Sequence, residues 1–214
     1  MTPRSRECRI LVLGIGNLLW ADEGFGVRCV EALQQGWRFP AEVTLMDGGT
    51  QGLYLLPYVQ TAEALLVFDA VDYGDAPGTL RVITEDAVPR FMGAKKMSLH
   101  QTGFQEVLAA AALTGHLPSA LTLIGVQPKE LEDYGGSLSP VVHAQLPEAL
   151  KIAHSWLQRW GAAGVKREVA TAETLADAAL ALNAYETGRP DAMSAWRTGD
   201  ARFLNLLWQD AEGV

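Results

Sequence analysis

The chain has 214 residues, of which 49% are hydrophobic, so it can bury one substantial core without division into two globular units. Its formal net charge is −8 at pH 7, which argues against a nucleic-acid partner because phosphate contacts require clustered Lys and Arg. No apolar run is long enough to insert in a membrane, and Cys8 and Cys29 form neither a metal-binding spacing nor a disulfide framework, so we expect a cytoplasmic protein.

Apolar runs and helical patterns alternate along the chain, which predicts an α/β protein: a three-layer α/β/α fold with a five-stranded, mostly parallel mixed sheet. The predicted strands are Ile10 to Leu13, Val43 to Met46, Ala64 to Phe68, Thr79 to Ile83 and Leu121 to Val126. The predicted helices are Asp22 to Gln35, Gly52 to Val59, Gln101 to Leu113 and Pro140 to Trp160. Because Asp75-Ala76-Pro77-Gly78 is typical of a tight turn, we expect strands three and four to form a hairpin and supply one antiparallel member.

The sequence predicts a main domain over residues 1–164 and a helical C-terminal extension over residues 165–214. Two stretches of the extension, Ala172 to Tyr185 and Asp200 to Trp208, have apolar residues at helical spacing, and Gly188-Arg189-Pro190 would end the first. Short helices bury little surface alone, so we expect the extension to pack on the main domain as a cap. The alternative is an arm that docks a partner.

A glycine turn follows the first strand. Gly14 and Gly16 permit backbone conformations that other residues resist, and Asp22 is a good N-cap for the next helix. Glu23 would then lie in the first helical turn, where the helix dipole favours its ionised form. Such turns also bind dinucleotides, but Leu19 takes the third position of G-x-G-x-x-G and the helix begins too late to receive a pyrophosphate, which disfavours that function.

Several separated segments resemble one protein family. They are GIGNLLWADEGFGVR at 14–28, MDGGTQG at 46–52, FDAVDYGDAPGT at 68–79, KMSLHQTG at 96–103 and LTLIGVQPKELEDYGGSLSP at 121–140. Together they are similar to the nickel-iron hydrogenase maturation endopeptidases, which trim the C-terminus of the hydrogenase large subunit after nickel insertion. The resemblance covers about residues 8–160, and coincident motifs are more specific than one glycine turn.

The resemblance implies that Glu23, Asp69 and His100 bind a metal ion, and that the ion is nickel, possibly supplied by the substrate. Taken alone, Asp69 would more often be a turn carboxylate and His100 a solvated loop residue. Two carboxylates and one imidazole nevertheless suit a borderline divalent ion. Asp47 would position the substrate, and Gly48 and Gly49 would let a peptide approach the backbone closely.

The implied activity is endopeptidase cleavage of the nickel-loaded large-subunit precursor by a chain that is monomeric when free. Two mechanisms remain open: nickel acts as a Lewis acid, or it marks the precursor while the catalytic carboxylates, Asp69 or Glu23, activate water in the aspartic-type manner. The sequence contains no H-E-x-x-H helix, no G-x-S-x-G elbow and no Asp-Thr-Gly or Asp-Ser-Gly signature. The alternative function is a noncatalytic nickel-sensing chaperone or binding module for the same precursor.

Overall fold

A computed structural model describes residues 9–85, 87–92, 99–169, 171, 175 and 177–188, without the side chains of 90–92 and 99–102. Five strands form one sheet in the order β3-β1-β4-β6-β5. Their bounds are β1 Ile10–Ile15, β3 Val43–Gly49, β4 Ala64–Ala70, β5 Leu80–Thr84 and β6 Ala120–Val126. The β1–β3, β1–β4 and β4–β6 pairs are parallel, and the β5–β6 pair is antiparallel, which confirms the predicted mostly parallel mixed sheet.

The helices in the described residues are α1 Phe25–Gly36, α2 Leu56–Thr61, α3 Ala87–Met92, α4 Leu99–Leu113, α5 Pro140–His143, α6 Leu146–Arg159 and α7 Leu182–Gly188. Single 3₁₀ turns are formed by Ala21–Gly24, Gly52–Leu55 and Ala178–Leu180. Two short strands outside the main sheet, β2 Trp37–Arg38 and β7 Val165–Lys166, pair antiparallel with each other. Among the described residues, no helix is both long and apolar enough to cross a membrane.

Alternate residues of the buried strands point to opposite faces of the sheet, as the pleat requires. On one face, Val12, Leu66 and Phe68 pack against α1 and α6. On the other face, Leu13 and Val67 pack against α2 and α4. The central strands are therefore apolar on both sides, which is why they read as continuous hydrophobic runs in the sequence.

The predicted hairpin of the third and fourth strands is wrong, although the antiparallel member exists. The edge strand β5 pairs with β6, and β6 lies between β4 and β5. The loop after β4 crosses the end of β6, where Gln127 Oε1 accepts hydrogen bonds from the Tyr73 and Asp75 N–H groups. These contacts carry the chain past β6, so the turn before β5 does not fold it back onto β4.

Several predicted helix boundaries also differ from the structure, and the predicted helix from Gly52 to Val59 is a 3₁₀ turn followed by α2. The first helix begins at Phe25, after the 3₁₀ turn Ala21–Gly24. The predicted helix from Pro140 to Trp160 is divided into α5 and α6, because Pro147 lies in the first turn of α6 and its ring disfavours continuation of the preceding helix. In the extension, Asp177 caps the 3₁₀ turn and extended backbone at Ala181 separates that turn from α7. The helix predicted from Asp200 to Trp208 lies outside the described residues.

Candidate active site

The carboxyl ends of three neighbouring parallel strands bring Asp47, Asp69 and the turn that carries Glu23 to one edge of the sheet. In the register, Gly14 of β1 lies beside Asp47 of β3 on one side and beside Phe68 of β4 on the other. Asp69 follows Phe68 directly and lies inside β4. The sheet therefore places Asp47 and Asp69 on either side of the strand whose end leads to Glu23.

The turn that carries Glu23 folds back against the end of β1. Gly16 has a φ of 131°, and a methyl group there would overlap the Glu23 carbonyl oxygen. Only glycine permits both this conformation and this approach. Glu23 lies in the first helical turn, as predicted, but that turn is the 3₁₀ turn that leads directly into α1. Burial raises the pKa of its carboxyl above the usual value, opposite to the effect expected from a helix dipole.

Asp22, the residue before Glu23, is fully buried and joins the turn to the loop after β6. The sequence predicts Asp22 as the N-cap of α1, but this prediction is wrong because Gly24 occupies the N-cap position. Its carboxylate instead accepts hydrogen bonds from four donors: the N–H groups of Lys129, Glu130 and Ser139 at 2.8, 2.9 and 2.6 Å, and the Ser139 hydroxyl at 2.9 Å. The loop sequence gave no signal for this role, since its donors are mostly backbone groups.

The same turn contains a strained residue. Ala21 has a φ of 38°, a left-handed conformation that residues with a Cβ rarely adopt. Such strain persists only where surrounding contacts determine the backbone strongly, and the Asp22 hydrogen bonds supply them. The backbone at Glu23 is therefore restrained by the two residues before it and by its close packing against Gly16.

Asp69 is fully buried on the sheet face that packs against α4. A second polar side chain, Tyr73, lies near it: burial and then the Asp69 charge raise the pKa of the Tyr73 hydroxyl. His100 is the second residue of α4, one helical turn before Phe104, which is buried in this layer. The His100 side chain lies outside the described part of the structure, so only its helix position is established.

Asp47 lies on the opposite face of the sheet, the one shared with α1. Its alternation with Leu45 of β3 places it there. Burial raises the pKa of the Asp47 carboxyl, and the Arg28 charge lowers that pKa by a smaller amount. Arg28 is 3% exposed and its Nη1 donates to Glu31 Oε2 at 2.8 Å. The Arg28–Glu31 pair was not predicted from the sequence, although the two residues have the i,i+3 spacing of neighbours on a helix.

Gly48 and Gly49 continue β3 past Asp47. A Cβ at Gly48 would lie 2.8 Å from the Ile15 Cδ1 atom and 3.2 Å from the Gly14 carbonyl oxygen, so a larger residue there would require the Ile15 side chain to move. Gly49 has a φ of 46°, which favours glycine, and its N–H donates a hydrogen bond to Asp47. Their role in peptide binding stays a prediction.

The other histidines, Cys29 and Asp72 have ordinary structural explanations. The Asp72 carboxylate accepts from the Gly74 N–H in a turn, and burial raises the pKa of the Cys29 thiol, which disfavours a nucleophilic thiolate. His116 and His143 are exposed, and His154 stacks against Trp37.

The donor set at the sheet edge fits a divalent metal ion. Asp69 is a buried carboxylate, Glu23 is a half-buried one, and the predicted third ligand lies at the start of the helix that covers Asp69. Burying carboxylates costs free energy that a bound cation recovers. Within the described side chains, which exclude that of His100, no group of three metal-binding residues occurs.

Comparisons with known proteins agree with this architecture. A sequence model of the family described as hydrogenase maturation protease matches residues 27–156. The hydrogenase expression/formation protein HoxM of Azotobacter vinelandii is 63% identical over 91% of this chain and 94% of its own. The hydrogenase 2 maturation protease of Escherichia coli K12 is 42% identical over 75% of this chain and 97% of its own.

Solved structures show the same likeness. The hydrogenase maturating endopeptidase HybD from E. coli superposes with a TM-score of 0.71 and 41% identity, over 74% of this chain and 98% of that one. The HoxM alignment spans 195 residues and therefore includes part of the predicted extension after residue 164. The HybD likeness covers 74% of this chain, which is about the length of the predicted main domain. On the family match and these identities, the chain belongs to the hydrogenase maturation proteases.

Proposed function

We propose that this protein is the endopeptidase that removes the C-terminal peptide from the nickel-loaded precursor of a nickel-iron hydrogenase large subunit. The proposal is supported by the positions of Glu23, in the turn after β1, and of Asp69, near the carboxyl end of the neighbouring strand β4, in a chain of the maturation-protease family. HybD, a named endopeptidase, is matched over 98% of its length. We further propose that the chain acts as a monomer and in the cytoplasm. The free, buried Cys29 supports the reducing compartment.

Glu23, Asp69 and His100 are the residues that would hold nickel, possibly the ion that the precursor brings. When bound, the ion would polarise the scissile carbonyl or the attacking water. The chain's own contribution is to fix the carboxylates: Gly16 and Asp22 hold the Glu23 turn, and β4 holds Asp69. In the aspartic-type alternative, Glu23 or Asp69 takes the proton of the attacking water.

Asp47 and the two glycines after it would form the neighbouring wall for the precursor peptide. Their position at the end of β3, beside Gly14, makes the wall continuous with the edge that carries Glu23. Arg28 restrains Asp47 electrostatically from the α1 side.

The decisive experiment incubates purified protein with nickel-loaded precursor and measures the product mass. We expect loss of the C-terminal peptide with wild-type protein, and no cleavage with Glu23→Gln, Asp69→Asn or His100→Ala, each of which should remain folded. Matched controls are Asp72→Asn, an exposed turn carboxylate three residues after Asp69, and His116→Ala, an exposed histidine. Binding of an intact precursor would instead favour the chaperone or binding module.

Nickel recognition has its own test. Precursor prepared without nickel should stay uncut at any enzyme concentration that processes the loaded form. Efficient cleavage of the nickel-free form would remove nickel sensing from the proposal while leaving the endopeptidase assignment intact.

A further inference from the structure

The described part of the C-terminal extension is attached along the length of α1. Near the end of that helix, the Arg167 N–H donates to the Gly36 carbonyl at 2.8 Å and its Nε donates to the Trp37 carbonyl at 2.9 Å. The strand β7 pairs with β2 beside these contacts. From this anchor the extension returns towards the beginning of α1, where the Glu23 turn lies.

The second attachment is at Arg28, in the first turns of α1. Its Nη1 donates to the Leu180 carbonyl at 2.5 Å as well as to Glu31, and its guanidinium carbon lies 5.6 Å from the centre of the Tyr185 ring. A buried guanidinium is costly unless its donors are satisfied, and an aromatic face also stabilises it. The extension therefore completes the surroundings of a buried charge in the main domain.

The third attachment is the loop of residues 134–137. The Ser137 hydroxyl donates to Glu186 Oε1 at 2.8 Å, and the Tyr185 hydroxyl donates to the Gly136 carbonyl at 3.4 Å. The same loop contacts the turn before Glu23 directly. Tyr134 and Gly136 form β-bridges with Trp20, and the Gly135 N–H donates to the Leu19 carbonyl at 2.7 Å.

We propose that residues 177–188 are a positioning element for the Glu23 turn, with Tyr185 as its central positioning residue. Tyr185 contacts both Arg28, five residues after Glu23, and the loop that pairs with Trp20, three residues before it. One side chain of the extension thus restrains the turn through the elements on both sides of it. The inference rests on the proposed function only where kcat and KM are measured, because amide hydrogen exchange needs no substrate.

The test compares Tyr185→Leu with Tyr185→Phe in the full chain. The leucine variant removes the ring over Arg28, whereas the phenylalanine variant keeps it. Thr187→Ala is the matched control, because the Thr187 hydroxyl bonds only within its own helix, to Asn183 and Ala184 carbonyls, in the described contacts. Each variant is measured by amide hydrogen exchange over residues 17–24 and 129–137, by kcat and KM for precursor processing, and by thermal melting.

We expect Tyr185→Leu to accelerate exchange in both segments about tenfold and to lower kcat about tenfold at unchanged KM, since a loosened turn misplaces Glu23. Tyr185→Phe should restore most of both quantities, and Thr187→Ala should match the wild type. If Tyr185→Leu fails to fold, the pair Glu186→Ala and Glu186→Gln replaces it, because only glutamine can still accept from Ser137.

Three results would overturn the inference. A lower melting temperature with unchanged exchange and kcat would make the extension a cap alone. A raised KM with unchanged kcat would make it a docking arm, for which the apolar pocket of about 490 Å³ between Leu19, Tyr134 and Tyr185 is the available place. Faster exchange without a loss of kcat would show that the restraint does not reach catalysis. If wild-type protein leaves the precursor uncut, the proposed function fails, and the exchange data still decide whether Tyr185 restrains the turn.

Discussion

The sheet core and the C-terminal extension are held in place by different interactions. In the core, apolar side chains of β1, β4 and β6 are buried on both faces, and helices approach the strands at glycine contacts. In the extension, the turn Ala178–Leu180 and α7 have no buried residues, and hydrogen bonds and one cation–π contact attach them. Removing core contacts should therefore abolish the fold, whereas removing extension contacts should change the geometry of the site.

The largest effect is expected from Gly26→Val. A Cβ at Gly26 would overlap the carbonyl oxygens of Ile15 and Phe68, where α1 crosses β1 and β4. Because backbone atoms of a central sheet cannot move away cheaply, we expect a loss of about 4 kcal/mol or more and no soluble folded protein. Gly36→Ala, in the same helix with open space around it, is the control and should fold normally, as circular dichroism can show. Normal melting of Gly26→Val would contradict the close packing.

Asp22→Ala should have the next largest effect. It leaves the backbone donors of Lys129, Glu130 and Ser139 without their acceptor, and buried unsatisfied donors make the expected loss about 3 kcal/mol. Ser139→Ala removes only the hydroxyl donor, so about 1 kcal/mol should be lost. Urea unfolding measures both. Equal losses in the two variants would show that the backbone donors find other partners.

Deletion of residues 165–214 should cost less, about 2 kcal/mol, and leave a folded domain. The described contacts that would be lost include the acceptor at Leu180, the Tyr185 ring and the β2–β7 pairing. The HybD likeness, which spans nearly all of a shorter chain, supports independent folding of the remainder. Lower solubility and a lower melting temperature are expected. A truncated protein that melts normally and loses only precursor binding would favour the docking arm.

Asp47→Asn should stabilise the protein slightly at pH 7 while impairing processing. Burial is the main cause that raises the Asp47 pKa above its ordinary value of 3.8, so the ionised group opposes folding at neutral pH. The stability associated with the neutral form is present below pH 3.8 and is lost as pH rises through the higher native pKa. The difference in melting temperature between Asp47→Asn and the wild type should thus narrow as pH falls from 7 towards 4, with melting measured at each pH. A difference that widens on acidification would show that the native pKa is lowered.

The smallest effect is expected from Lys151→Ala. Lys151 Nζ lies 3.2 Å from Glu148 Oε2 on the surface of α6, and both side chains are exposed. Exposed pairs at this spacing contribute about 0.3 kcal/mol, so the melting temperature should change by about 1 °C. A larger loss would show that the outer surface of α6 contributes more than its exposure indicates.

The strands and most helices could be predicted because the pattern of apolar residues within a segment follows which of its side chains are buried. Ala64 to Phe68 is apolar at every position, and such a run has few alternatives to a central strand. The glycine turn and the position of Asp69 near a strand end could also be predicted, because each directly follows an apolar run. The pairing of β5 with β6 was not visible, because it depends on Gln127 bonding a loop more than fifty residues away in sequence.

The sequence by itself determined the alternating α/β pattern, the five buried segments and the residues that carry the family resemblance. Tertiary structure alone decided the roles of Asp22, Arg28 and Tyr185. Their partners are backbone groups or side chains up to about 150 residues distant, and hydrogen bonds to backbone atoms leave no side-chain pattern in the sequence. Periodicity reports which face of an element is buried, whereas it cannot report which distant element covers that face.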